Sequence, residues 1–227
     1  MLIAVVVLGF QPQATAIASS AGVPGIGRFA TPVGTSQLIV VRSANWRSAT
    51  ATVLAYERGA GGHWVLKFGP LTAHIGRNGM HLAASRLEGD GTTPAGSFAL
   101  RTSFGRLANP GTLLPYKKLT SYDYWVGDSA SPYYNQLRSS LRGGFNRATS
   151  EHLIAIRPMY DNALVIDFNR PLAVPGRGSA IFLHITDGAT TAGCVAVSRR
   201  AVTALLRWLD PARHPRVVMG PSAWLAG

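Results

Sequence analysis

Cys194 is the only cysteine in the chain, and His184 stands ten positions before it. A thiol titrates near ~8.5 and only its thiolate attacks a carbonyl well, so a neighbouring imidazole that takes the proton turns a cysteine into a nucleophile. Cys194 is therefore the candidate nucleophile and His184 the candidate base. The same two residues also fit a plainer reading, a small buried hydrophobe beside a hydrogen-bonded core histidine, because free cysteine is among the most buried residue types.

The surrounding residues must bring the pair together. Ala180-Ile181-Phe182-Leu183 is a short apolar run of strand composition, which places His184 at the end of a buried strand with a fixed direction. Asp187-Gly188 signals a tight turn, and Gly193 allows a backbone conformation that a side chain would resist. The chain is expected to turn back here and bring the sulfur to the imidazole. The amides of Gly193 and Cys194 are then candidate donors to a developing oxyanion.

The beginning of the chain bears on compartment. Leu2 to Phe10 is an uninterrupted apolar run without a preceding Lys or Arg, and Ala16-Ile17-Ala18 is an A-x-A cleavage candidate, so residues 1–18 read as a signal peptide. A run of about nine residues is too short to span a bilayer, which takes roughly 20. The expectation is an exported protein of the periplasm or cell wall. One cysteine cannot form an internal disulfide, and an unpaired thiol in an oxidising compartment is buried, paired with another chain or kept for chemistry.

With 227 residues and 47% hydrophobic content, the chain has room for one domain with a substantial core. Its 22 Lys and Arg against 10 Asp and Glu give a formal net charge of +12, which favours an anionic partner. The basic residues are scattered, with no basic helix, zinc-finger spacing or stacking motif, so nucleic acid is not expected. An anionic wall or membrane surface is the nearer candidate for peripheral contact. There is no G-x-S-x-G elbow, no H-E-x-x-H and no glycine-rich nucleotide loop, so serine hydrolase, zinc protease and nucleotide enzyme readings lack support. His63, His74 and His81 have no metal-site spacing.

Residues 19–36 are rich in Gly, Pro, Ser and Thr and read as a flexible lead-in, with the folded domain over 37–227. Gln37–Arg42, Ala51–Arg58, His63–Phe68 and Leu71–Arg77 have strand composition, the second and third joined by Gly59-Ala60-Gly61-Gly62. Pro94 and Gly96 predict a turn, with a strand starting at Phe98. Leu107 to Asn146 reads as a long loop rich in tyrosine, and loops of that length are usually functional or disordered. The expectation is a flap over the cysteine with Trp125 and Asp128 lining the pocket; a packed surface hairpin of tyrosines is the alternative. Leu153–Ile156 and Ala163–Phe168, separated by an Asp161-Asn162 turn, are expected strands flanking the one that ends in His184. Ser198 is a good N-cap for a helix whose stripe of Ala201, Val202, Leu205, Leu206 and Leu209 runs until Pro211. Arg199 and Arg200 fall in its first turn, against the helix dipole, as solvated side chains or beside an anion. Arg216–Met219 reads as a last strand.

Two motifs together resemble the L,D-transpeptidase catalytic domain family of bacterial cell-wall enzymes, also called the YkuD family. Thr93, Pro94, Gly96 and Phe98 match its T-P-x-G-x-F segment, and His184, Thr191, Gly193 and Cys194 match its strand-borne histidine and Ser/Thr-x-G-C turn. The resemblance covers roughly 37–220. It implies a mainly β fold with α (α+β), a mixed or antiparallel β-sandwich with one or two packed helices. It also implies a cysteine acyltransferase acting on peptidoglycan stem peptides in cell-wall biogenesis, without metal or organic cofactor. Carried over by residue, Cys194 is the nucleophile, His184 the base, the Ile185 carbonyl the group that orients the imidazole, and the Gly193 and Cys194 amides the oxyanion donors, with Thr191 at the substrate. Two positions depart from the pattern: most members have histidine directly before G-C and arginine or asparagine two residues after the cysteine, where this chain has Ala192 and Ala196. The alternatives are a wall-binding module that has lost turnover and an L,D-carboxypeptidase that hydrolyses the acyl-enzyme.

Overall fold

The computed structural model of the chain describes residues 22–29 and 31–227, so the predicted signal peptide lies outside the described residues. In chain order the strands are β1 (Gln37–Ser43), β2 (Thr50–Arg58), β3 (Trp64–His74), β4 (Met80–Leu82), β5 (Thr93–Ala99), β6 (Ser103–Gly105) and β7 (Tyr116–Lys118). They continue as β8 (Asp123–Trp125), β9 (Leu137–Ser139), β10 (Glu151–His152), β11 (Ala163–Val165), β12 (Phe182–Ile185) and β13 (Val195–Val197). Helix α1 (Arg199–Trp208), β14 (Arg216–Pro221) and α2 (Ser222–Ala226) follow. Among the described residues, eleven strands form one mixed sheet in the order β4-β5-β14-β1-β2-β3-β13-β12-β11-β6-β7, and β10-β8-β9 form a second of three. Among the described residues the protein is mostly β with two α-helices.

Apolar content set the large sheet and local chemistry bent it. The two runs either side of Gly69-Pro70, read as separate strands, form the single strand β3. Its pairing with β2 shifts register between Val53↔Leu71 and Ala55↔Phe68, a bulge that absorbs a proline with no amide to give the ladder. The T-P-A-G segment is likewise strand and not turn: Thr93 to Ala99 pair in parallel with β4 and antiparallel with β14, and the strand ends where it was expected to begin. Leu153–Ala155 is a 3-10 turn in place of a strand. The tyrosine-rich segment supplies β7, β8 and β9, with Trp125 and Tyr134 buried. Within the lead-in, Val23 and Ile26 are buried against Leu38, Tyr56 and Leu225, so packing starts ahead of β1.

Strands β12 and β13 sit between two cores. Leu183, Ile185, Val195 and Val197 face a large cluster that takes the stripe of α1, including Val202, Leu205 and Leu206. Phe182 and Cys194 face a second cluster with Phe104, Trp125 and Tyr160. Burial on both faces explains why Phe182-Leu183-His184-Ile185 reads as a continuous run without alternation. Ser198 Oγ accepts from the Ala201 amide at 3.2 Å and caps α1. Arg199, in the first turn of α1, pairs with Asp161 at 2.7 Å, so its anion is internal. No helix of the described residues is long and apolar enough to cross a membrane.

Candidate active site

Sheet register puts the cysteine and the histidine on one face. β12 and β13 run parallel, with His184 opposite Ala196 and Leu183 opposite Val195. Side chains two apart along a strand share a face, so Cys194, two residues before Ala196, projects to the same side as His184. The chain bends at Gly188, where the sequence signals a turn, but the bend alone does not bring it back to β12, because parallel neighbours cannot be joined by a tight turn. The connection instead crosses to the end of β3. There the Thr191 amide donates to Ile75 O at 2.9 Å, the Arg77 amide donates to Thr191 O at 2.8 Å, and His74 Nδ1 donates to Ala189 O at 2.9 Å.

The Gly193-Cys194 corner is held by two hydroxyls. Thr191 Oγ1 accepts from the Gly193 amide at 3.0 Å and donates to Cys194 O at 2.8 Å. Thr93 Oγ1, fully buried, accepts from the Gly76 amide at 2.9 Å and donates to Gly193 O at 2.8 Å. These bonds explain what the two threonines do. They also change the sequence reading: the Thr191 hydroxyl is committed to the corner, and the Gly193 amide is occupied by it, which leaves the Cys194 amide as the free donor of the two among the described residues.

Cys194 and His184 line one cleft of about 630 Å³, together with Arg86, Glu88, Trp125, Glu151, Tyr160 and Thr191. Cys194 is 7% exposed and His184 4%. The sulfur accepts from the Phe182 amide at 3.3 Å and donates to Ala180 O at 3.2 Å; the imidazole is not among its hydrogen-bond partners. His184 Nδ1 lies 2.9 Å from Ile185 O, and since a carbonyl only accepts, Nδ1 carries the proton and Nε2 is the basic nitrogen. Burial holds the imidazole below its ordinary pKa. Burial, with the Glu151 charge second, pushes the Cys194 thiol up to about 12. The resting pair is a thiol and a neutral imidazole.

Of the pocket residues expected from sequence, Trp125 lines the cleft, its Nε1 donating to Asn135 Oδ1 at 2.9 Å. Asp128 does not. Its carboxylate accepts from the Ala130 amide at 3.1 Å and the Asn146 amide at 2.9 Å and shapes the loop beyond β8. Sequence reasoning missed four residues of the site. Asn135 Oδ1 also accepts from the Ala180 amide at 3.1 Å and so ties the segment after β8 to the residue whose carbonyl accepts from the thiol. Tyr160 donates to Glu151 at 2.8 Å and sets its ring edge-on to His184, centroids 5.4 Å apart. Burial raises the Glu151 carboxyl to about 7. The fourth is Arg86, buried in the wall beside Gly193. None of the four carries a local sequence signal, because each is joined to Cys194 only through the fold. Among the described residues no group of three His, Cys, Asp or Glu side chains could hold a metal ion.

A thiol and an imidazole on one wall of a cleft, with a free amide at the cysteine, make up the minimum equipment for acyl transfer through a thioester. No curated protein and no solved structure matches the chain. The family model described as the L,D-transpeptidase catalytic domain, YkuD, matches residues 47–219, which take in both threonine ties, the histidine strand and the cysteine corner. That match spans well over half of the chain, and the protein belongs to the L,D-transpeptidase catalytic domain family.

Proposed function

We propose that the protein is an exported cysteine L,D-transpeptidase that acts on peptidoglycan stem peptides. The observation that carries this reading is the placement of Cys194 and His184 on one face of two adjacent strands, at the wall of one cleft, in a chain of this family. Sulfur attacks a carbonyl of the donor stem as His184 Nε2 takes the thiol proton. The C–N bond to the terminal D-residue breaks, and the imidazolium returns that proton to the leaving amine. The amine of a second stem then attacks the thioester, gives up its proton through His184, and the C–S bond breaks to restore the thiol. Because the resting pair is neutral, proton transfer accompanies attack and does not precede it. The Cys194 amide faces the developing oxyanion. The apolar run from Leu2 with its A-x-A site supports export, and the charge of +12 supports contact with an anionic wall or membrane surface.

One observation favours a second reading, a wall-binding module with weak turnover: the sulfur is bonded to backbone at Phe182 and Ala180 and not to the imidazole. Hydrolysis shares the acyl-enzyme and differs only in the acceptor. The test is incubation of the purified protein with a tetrapeptide stem and an acceptor amine, read by mass spectrometry. Cross-linked product with a mass adduct on Cys194 is the expected result. Trimmed product assigns a carboxypeptidase, and unchanged peptide with no adduct sinks the enzyme reading.

A further inference from the structure

Arg86 is almost fully buried, 2% exposed, yet it lines the cleft that holds Cys194. Its Nε donates to Thr92 O at 2.7 Å and lies 3.4 Å from Asp90. Asp90 is itself consumed by its loop, accepting from the Leu87 amide and from the amide and hydroxyl of Thr92. Those contacts use one side of the guanidinium. At the other end Nη1 is buried with no hydrogen-bond partner. The two nitrogens of that end rest against glycines: a Cβ at Gly193, where φ is 153°, would come within 2.8 Å of Nη2, and a Cβ at Gly178 would collide with Nη1. None of the carboxylates lining the same cleft bonds Arg86: Glu88 accepts from the Tyr134 hydroxyl, Glu151 from Tyr160 and Asp187 from the Ala189 amide.

A buried cation with an unused donor costs stability unless something compensates, and an unpartnered buried group at a cleft wall marks where a ligand completes the bonding. The Nη1–Nη2 end of a guanidinium matches the two oxygens of a carboxylate. Here it stands against Gly193, directly before the residue whose sulfur faces the cleft. Neither Ala192 nor Ala196 offers a charge at the site.

We propose that Arg86 is a substrate-binding residue that holds a carboxylate of the acyl donor, the free carboxylate of the terminal residue that is expelled. The identity of the donor rests on the transpeptidase reading; the carboxylate site does not. The residue that leaves carries its carboxylate away, so Arg86 acts in formation of the acyl-enzyme.

The test compares ligands that differ only in that charge. A tetrapeptide stem with a free terminal carboxylate and the same peptide as its C-terminal amide are offered to the purified protein, and the rate of adduct formation on Cys194 is followed by intact mass. The wild type should favour the acid by about tenfold or more, the worth of a charge-assisted hydrogen bond. Arg86→Gln should collapse that ratio and Arg86→Lys should keep part of it, which a purely structural role would not produce. Alkylation of Cys194 by iodoacetate against iodoacetamide gives the same comparison without turnover. If the wild type acylates with neither peptide, the transpeptidase reading falls, and the iodoacetate preference alone decides for or against Arg86. Should Arg86→Gln not fold, the wild-type ratios and Arg86→Lys decide. A wild type with no preference for the charged member of either pair, or a preference that survives in Arg86→Gln, overturns the proposal.

Discussion

At Cys194 the environment opposes ionisation. Burial and the Glu151 carboxylate both raise the thiol, the Phe182 amide and the Arg86 charge lower it, and the sum leaves it protonated at neutral pH. His184→Gln should therefore slow Cys194 alkylation across the neutral range, because the proton acceptor is lost while the sulfur keeps its backbone contacts. An alkylation profile identical to wild type would remove His184 from the mechanism. Cys194→Ala should abolish the mass adduct with donor peptide and leave the circular dichroism spectrum unchanged. Glu151 gives a prediction with a defined pH window. Its carboxyl rises from 4.5 to about 7 on folding, so the folded state holds an extra proton between those values. The associated stability is present below pH 4.5 and is lost as pH rises through about 7, a loss on the order of 3 kcal/mol. Glu151→Gln stays neutral, so it should be more stable than wild type at about pH 8, flatten the dependence, and lower the thiol pKa of Cys194. Denaturant midpoints measured across pH check the first two effects, and equal slopes for the two proteins would refute them.

At the scale of elements, the site depends on a parallel pair without a hairpin. β12 and β13 are neighbours because the connection between them is anchored on the end of β3, and the start of β5 holds it there through Thr93. The T-P-x-G-x-F motif is thus a fastening for the cysteine corner. Thr93→Val keeps the shape of the side chain but leaves the Gly76 amide and the Gly193 carbonyl without this partner, at a cost of about 1 to 3 kcal/mol. The loss should be visible as a lower urea midpoint, and it should be joined by faster hydrogen exchange at Gly76. Unaltered stability would mean that the corner is held by Thr191 alone. The departure at Ala196 also acquires a place: it sits opposite His184 on the same face, and its methyl is buried, so no side chain competes there for the imidazole.

For the molecule as a whole, the formal net charge is +12, and its basic residues are scattered along the chain. Some of the basic side chains are paired internally, as at Asp161, which engages both Arg106 and Arg199. The net excess of +12 predicts diffuse attraction to an anionic polymer. Co-sedimentation with insoluble anionic wall material should fall steeply as salt rises from about 0.05 to 0.5 M, where the screening length shrinks to a few ångström. Binding that is indifferent to salt would point to a specific wall ligand instead.

Sequence alone determined whatever depends on near neighbours: the strand character of β1, β2 and β12, the cap and stripe of α1, and the motif residues that mark the family. These follow from hydrophobic period, β-branching and turn chemistry, which act within a few residues. It failed where a distant partner overrode the local signal. Pro94 and Gly96 read as a turn until pairing with β4 and β14 made them strand. Gly69-Pro70 read as a break until a bulge absorbed it. Only the tertiary structure decided that β12 and β13 run parallel, that the Gly193 amide is taken by Thr191, and that Arg86 and Glu151, 108 and 43 residues before Cys194, stand in its cleft. The physical reason is that burial and hydrogen-bond partnership are set by what the fold brings alongside, and charge in a buried cleft takes its meaning from those neighbours and not from its position in the chain.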